Sequence, residues 1–187
     1  FDMDAAKSAY EQDIAKERAQ KEMRDKSATL MREAQNAFNA KKIDEGIAKL
    51  DEAAKIDPES RSQIELRKIR LLLDAGQIDR GNEVAKALAD GDAKGNWQML
   101  ASVARSLVSG KDAARGDLDL AVRVAGLSVD ISEGKQATAL AALAQCQWAK
   151  GDKDKAIESQ TKAVEVSEGR LKETLQKTLD GYKTDGK

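Results

Sequence analysis

Histidine is absent from this sequence of 187 residues, and cysteine occurs once, as Cys146. The absence of histidine removes the commonest metal ligand and the commonest general base at neutral pH. A single cysteine forms no internal disulfide, and without a histidine it has no partner for a papain-like catalytic pair. Cys146 stands in an alanine-rich apolar stretch, so we expect a small buried side chain.

Proline and aromatic residues are also scarce. Pro58 is the one proline, and Phe, Trp and Tyr together make up 3% of the chain. No stretch of strand length alternates apolar and polar residues. Ala, Leu, Lys, Glu, Asp and Gln dominate instead, and most of these favour helices. The composition therefore predicts an all-α protein whose thin core consists of small side chains in closely packed helices.

Charge of one sign is nowhere concentrated, since the formal net charge is −1 and acidic and basic residues are interleaved. No basic tract is present to bind nucleic acid, so we expect no nucleic-acid partner. No apolar segment approaches the length that spans a membrane, and no signal peptide is visible. These features predict a soluble protein without membrane insertion, in the cytoplasm or the periplasm. The start at Phe1 rather than Met indicates a piece of a longer protein.

Glycine, proline and polar clusters divide the chain into helices. Residues 1–26 are mostly charged and predict an exposed helical arm or linker. Four amphipathic helix pairs follow, then a last helix at residues 170–182 and a frayed tail at 183–187. The predicted pairs are residues 28–40 with 44–55, 60–75 with 78–90, 95–109 with 117–131, and 135–149 with 153–167.

Small residues recur at corresponding positions of these pairs, where two helices could cross closely. They are Gly46, Ala53, Gly81, Ala156 and Ala163. The most regular segments are IDEGIAKLDEAAKIDP at residues 43–58 and LAQCQWAKGDKDKAIESQTKAVEV at residues 143–166. This pattern resembles the tetratricopeptide repeat, and the resemblance covers residues 27–182.

The resemblance implies a right-handed superhelix of about four helix pairs, closed by a C-terminal capping helix. Leu171, Leu175 and Leu179 recur every four residues, as such a capping helix requires. The repeats are degenerate, because one of the four pairs ends in proline and the third has an enlarged loop. The tyrosine usual in the first helix is replaced by Ala37, Leu72, Ala104 and Gln147.

In this family the first helices of the pairs line a concave groove that holds a partner's peptide or helix. The matching positions here are Met31, Arg32, Gln35, Asn39, Leu66, Arg70, Gln98, Arg105, Gln145 and Trp148. Arg105 and Trp148 are the expected anchors, since Arg and aromatic residues dominate binding hot spots. Trp97, by contrast, is expected in the core. The family's carboxylate clamp has Lys and Asn where this chain has Met31 and Gln35, which argues against that activity.

No catalytic, metal or cofactor constellation is visible, and the glycine-containing loops match no phosphate-binding motif. The favoured hypothesis is therefore a non-catalytic scaffold that binds a protein segment. A second hypothesis is an adaptor domain that follows a thioredoxin-like redox enzyme preceding Phe1, as in some bacterial proteins that the chain faintly resembles. A third is a structural module that self-associates through residues 5–26.

Overall fold

The computed structural model describes residues 3–109 and 116–185, of which 85% are helical and none lies in a strand. The predicted all-α class is confirmed. The α-helices in this part of the chain are α1 (Met3–Asn39), α2 (Ile43–Ile56), α3 (Arg61–Asp74), α4 (Ile78–Asp90), α5 (Trp97–Val108), α6 (Leu118–Ile131), α7 (Ala137–Lys150), α8 (Lys153–Glu165) and α9 (Gly169–Asp185). A short 3-10 turn, Pro58–Ser60, precedes α3.

The helices end where the sequence offers a specific stop. Asp57 accepts a hydrogen bond from the backbone N–H of Ser60 at 3.2 Å, which holds the turn that Pro58 begins. Gly151 follows α7 with a φ of 93°, a left-handed conformation that glycine adopts without strain. Asn96 and Asp117 cap α5 and α6 by accepting from the third following residue, each at 3.0 Å. Most predicted boundaries therefore agree with the structure to within a few residues.

Two boundaries differ from the prediction. The predicted arm and the first repeat helix are one unbroken helix, α1, because no proline or glycine interrupts the chain before Asn39. The predicted frayed tail is helical as far as Asp185. Most of the predicted loop between α5 and α6, and residues 1–2 and 186–187, lie outside the described residues.

The chain divides into two compact units, Phe1–Ile64 and Glu65–Lys187, which we call unit 1 and unit 2. In unit 1, α2 packs against the second half of α1. Leu30, Ala34 and Phe38 form the buried stripe of α1, and Leu50 of α2 has no exposed surface. No side chain from residue 10 to residue 26 is buried, so this stretch of α1 is the exposed helix that its charge predicts.

Unit 2 is built from neighbouring helices that share one main core. Its α4 packs with α5, α5 with α6 and α7, α6 with α7, α7 with α8, and α8 with α9. Ile69, Leu100, Val103, Leu107 and Cys146 are fully buried in this core. The small residues predicted at helix crossings are all buried in their own units, which confirms their interior placement.

The C-terminal helix α9 covers a second, smaller core of unit 2. Leu175 and Leu179 pack there with Leu140 of α7 and Val164 of α8. The amide of Gln160, itself 1% exposed, donates to the backbone oxygen of Leu175 at 2.8 Å and so fixes α9 on α8. The opposite face of α9 is polar and exposed; it carries Glu173, Lys177 and Asp180.

Candidate partner-binding surface

The predicted groove residues fall into both units. Met31, Arg32, Gln35 and Asn39 belong to α1 in unit 1. Met31 and Gln35 are half-buried, whereas Arg32 and Asn39 are exposed. The side-chain amide of Gln35 donates to the side-chain oxygen of Asn39 at 3.1 Å, which joins successive turns of the helix. The remaining predicted residues belong to unit 2.

A surface cavity of about 360 Å³ in unit 1 does not contain these residues. Its polar lining includes the ion pair of Glu33 and Lys49, 2.7 Å apart, and the ion pair of Lys42 and Glu45, 3.3 Å apart. The hydrogen bond and the negative charge of Glu33 raise the pKa of Lys49. The charges of this cavity are thus balanced by one another, and it offers no excess charge to a partner.

In unit 2, the first helices of the predicted pairs are α3, α5 and α7. Leu66 is 5% exposed and lies in the main core, so it is not available to a partner as the sequence suggested. Arg70 and Gln98 are exposed, and Arg105 is half-buried. Gln145 and Trp148 of α7 are half-buried as well. Trp97, expected in the core, is half-buried too.

A polar contact links α3 to α5. The guanidinium of Arg70 donates from Nε to the hydroxyl oxygen of Ser106 at 3.0 Å. The Ser106 hydroxyl in turn donates to the backbone oxygen of Ser102 at 2.9 Å. Ser102 and Ser106 were missed by the sequence analysis, although two serines one turn apart in an apolar helix were a visible signal. The contact places Arg70 beside the polar edge of α5.

Arg105 of α5 lies near Cys146 of α7. The thiol of Cys146 has no exposed surface, and this burial raises its pKa from 9.0 to about 12, while the charge of Arg105 lowers it by a smaller amount. A buried thiol with a raised pKa carries little thiolate at neutral pH, so it is a poor nucleophile in the folded chain. The prediction that Cys146 is a buried apolar residue is confirmed.

The indole of Trp148 is in contact with the C-terminal helix. The rings of Trp148 and Tyr182 are stacked, with their centroids 4.2 Å apart and their planes 9° from parallel. The ammonium nitrogen of Lys153 lies 5.4 Å from the centroid of the Trp148 ring. Lys153 also donates to the backbone oxygen of Asp185 at 2.9 Å. Neither Tyr182 nor Lys153 was predicted, since residues this far apart in sequence show no pattern that pairs them.

Burial raises the pKa of Tyr182, and the charge of the nearby Cys146 thiolate would raise it further. The hydroxyl of Tyr182 is therefore neutral over the physiological range. Helix α5 packs against α7, and the stack of Trp148 and Tyr182 joins the end of α9 to α7.

A second surface cavity in unit 2, of about 380 Å³, lies between α4 and α6. Its lining includes Lys86, Glu83, Asp119 and Arg123. Asp119 is paired with Lys150 at 2.6 Å, and Arg123 with Asp90 at 3.0 Å. None of the predicted groove residues lines this cavity, which belongs to the second helices of the pairs.

Comparison with known proteins adds no family to this description. No model of a protein family matches the chain, and no curated protein matches it significantly. The tetratricopeptide resemblance thus stays a prediction. Within residues 3–109 and 116–185, no helix is long and apolar enough to cross a membrane. The same residues contain no group of three or more Cys, Asp and Glu placed to hold a metal ion.

The buried thiol predicts a loss of stability at high pH. Because the pKa of Cys146 is raised in the folded state, the unfolded chain loses this proton first. The contribution of the protonated, buried thiol to the free energy of unfolding is complete below about pH 9. It is lost as the pH rises towards 12. We expect this loss to approach about 1.4 kcal/mol for each pH unit in that window.

The measurement is urea unfolding of the native chain and of Cys146→Ala, followed by circular dichroism between pH 8 and 11. Raised lysine pKa values act in the same direction, so the difference between the two chains isolates the thiol. If the free energies of unfolding of the native chain and of Cys146→Ala changed equally with pH, the expected penalty for ionising the buried thiol would be contradicted.

Proposed function

We propose that the chain is a non-catalytic interaction module whose helix pairs stack as a right-handed superhelix of tetratricopeptide type. Unit 2 would bind a segment of a partner protein along the surface of α3, α5 and α7. We define this surface by six residues: Arg70, Gln98, Ser102, Arg105, Gln145 and Trp148. All six are exposed or half-buried, so a partner can reach them.

The observation that carries the proposal is the contact between successive first helices. Arg70 of α3 donates to Ser106 of α5, and α5 packs directly against α7. Helices that follow one another as first members of their pairs are therefore neighbours in space. Arg70 and Ser106 are 36 residues apart in sequence and yet in contact, so a bound segment could follow the adjoining surfaces of α3, α5 and α7.

The charge of this surface indicates the chemistry of the partner. Two arginines stand among amides, hydroxyls and one indole, and none of the six defining residues carries a carboxylate. A guanidinium binds carboxylates through paired hydrogen bonds, and Arg105 is half-buried, where such pairing is stronger than in open solvent. We therefore propose an acidic peptide segment as the partner of the α3/α5/α7 surface.

Selection from a random peptide display library tests the proposal. Peptides that bind the native chain are expected to be enriched in Asp and Glu. The affinity of a selected peptide is then measured by fluorescence anisotropy for the native chain and for the double variant Arg70→Glu and Arg105→Glu. We expect the double variant to lose at least about tenfold in affinity, since it reverses both charges that face the peptide.

The matched control reverses two positive charges elsewhere in unit 2. Arg170→Glu and Lys177→Glu change the net charge equally, and both residues are exposed on α9. This control should bind the peptide within about twofold of the native chain, because the two sites lie outside the proposed surface. Equal losses in both variants, or a selection without acidic enrichment, would refute the proposed surface.

The adaptor hypothesis and self-association through residues 5–26 stay predictions. The buried Cys146 supplies no reactive thiol to a redox partner, so this thiol gives no support to the adaptor hypothesis. Tyr10 is 67% exposed and Met23 is 42% exposed in the arm, which leaves them accessible.

A further inference from the structure

We propose that Trp148 and Lys153 form a subsite for an aromatic side chain of the bound segment, and that Tyr182 occupies this subsite in the free protein. The inference rests on the proposed function and deepens it. The proposed partner segment then contains an aromatic residue as well as acidic residues. The last turn of α9 competes with that segment for the subsite.

The end of α9 shows what the subsite accepts. Tyr182 places its ring flat against the indole at a centroid distance of 4.2 Å. Three residues later, the backbone oxygen of Asp185 accepts a hydrogen bond from Lys153 at 2.9 Å. The subsite thus holds a planar ring against Trp148 and an oxygen acceptor against Lys153. A partner segment with an aromatic residue followed by a carbonyl or carboxylate oxygen would make the same two contacts.

The last turn of α9 can open without disturbing the core. The helix is fixed by Leu175 and Leu179, which are 8% and 3% exposed, and by the hydrogen bond from Gln160. All these contacts precede residue 180. Beyond them, Gly181 is exposed and its missing Cβ would meet nothing within 4 Å. A glycine inside a helix favours unwinding, so it lowers the resistance of this turn to displacement.

The side chains of the last turn are mostly directed to solvent. Asp180, Lys183, Thr184 and Asp185 are exposed, whereas Tyr182 is half-buried against Trp148. The Lys153 side chain that holds Asp185 is itself on an exposed residue. An exposed hydrogen bond and one aromatic stack are weak restraints, and a stack of this kind corresponds to about a two- to tenfold change in an equilibrium.

The subsite is continuous with the proposed surface. Trp148 belongs to both, and its helix α7 packs directly against α5, which carries Arg105. A ring that replaces Tyr182 would lie against Trp148, which is one of the six residues of the α3/α5/α7 surface. This arrangement favours a segment in which the aromatic residue has an acidic neighbour, rather than a purely aliphatic segment.

The test uses the full chain with Trp97→Phe, so that Trp148 is the one tryptophan left of two. The probe is the octapeptide DGYKTDGK, the sequence of the chain's own end, and its affinity is followed by Trp148 emission. We expect Tyr182→Ala to shift this emission to longer wavelength and to bind the probe about three- to tenfold more tightly than the parent. A probe with Leu in place of Tyr should lose that gain.

Two further variants serve as a control for the loss of any tyrosine and as an independent test of the subsite. Tyr10→Ala removes the other tyrosine, which is 67% exposed in unit 1, and should change neither emission nor affinity. Lys153→Ala removes the donor to Asp185 and so loosens the last turn, but it keeps the Tyr182 side chain, so it tests the acceptor contact if Tyr182→Ala proves poorly folded. It should shift Trp148 emission in the same direction by a smaller amount.

The proposal is overturned if Tyr182→Ala, with native circular dichroism, binds the tyrosine probe no more tightly than the parent. It is also overturned if the leucine probe gains as much as the tyrosine probe. A selected acidic peptide that still requires Arg70 and Arg105 would then leave the proposed function standing. If a selected acidic peptide instead bound equally well without Arg70 and Arg105, that separate result would refute the proposed function.

Discussion

Replacing Leu100 by Ala is expected to lower the free energy of unfolding of unit 2 by about 3 to 4 kcal/mol. Leu100 has no exposed surface and lies in the main core of unit 2 with Ile69 and Cys146. Truncation removes apolar atoms from water-free surroundings and leaves a cavity. The helices around the site are fixed by many other contacts, so they collapse into that cavity only in part.

The rate at which a reagent labels the single cysteine measures how often the core of unit 2 opens. Cys146 is buried in the same core, so a thiol reagent such as DTNB reaches it only when that core opens. Where opening is a rapid equilibrium, the labelling rate follows the open population. Leu100→Ala should therefore accelerate labelling by roughly 100- to 1,000-fold at pH 8.

Leu171→Ala is the matched control, because it removes the same atoms from a side chain that is 42% exposed on α9. It should change the labelling rate by no more than about threefold. Similar acceleration by both substitutions would mean that Leu100 does not lie in the core that closes over Cys146.

In unit 1, Gly46→Val is expected to cost about 2 to 3 kcal/mol. A Cβ added at Gly46 would lie 2.5 Å from Cδ2 and 2.6 Å from Cε2 of the Phe38 ring. Phe38 is 7% exposed, so its ring has little free space to move into. Valine adds two methyl groups beyond that Cβ, and α2 must therefore move away from α1.

Amide hydrogen exchange within α2 measures this loss unit by unit. The protection of the α2 amides should fall by about 30- to 150-fold in Gly46→Val. Ala48→Val introduces the same side chain at an exposed position of the same helix, and it should cost no more than the helix propensity of valine, about 0.5 kcal/mol. Equal losses in the two variants would contradict a close crossing at Gly46.

Much of the fold could be predicted from the sequence because its signals are local. Asp57 with Pro58, Gly76 and Gly151 each end a helix through their own backbone preferences, and the structure places helix ends beside all of them. The unbroken α1 was also readable, since a charged stretch without Gly or Pro has no reason to stop. The separation into an arm and a repeat helix added a boundary that no residue specifies.

The candidate surface was less predictable, because exposure depends on neighbours that are distant in sequence. Leu66 and Arg70 are one turn apart on α3, yet one is buried and the other exposed. The stack of Trp148 and Tyr182 depends on how α9 crosses α7 and α8. Helix periodicity predicts which residues share a face of one helix. It does not predict the angle and position at which two helices cross, which decide whether two such faces meet.

The polar outer face of α9 has a consequence for assembly at high concentration. In arrays of stacked helices, an uncovered apolar face at either end can pack against a further helix layer or against another copy of the protein. The outer face of α9 instead presents Glu173, Lys177 and Asp180, which are exposed and well solvated by water. Packing another copy against this face would remove these charged side chains from water, so such packing through α9 is disfavoured.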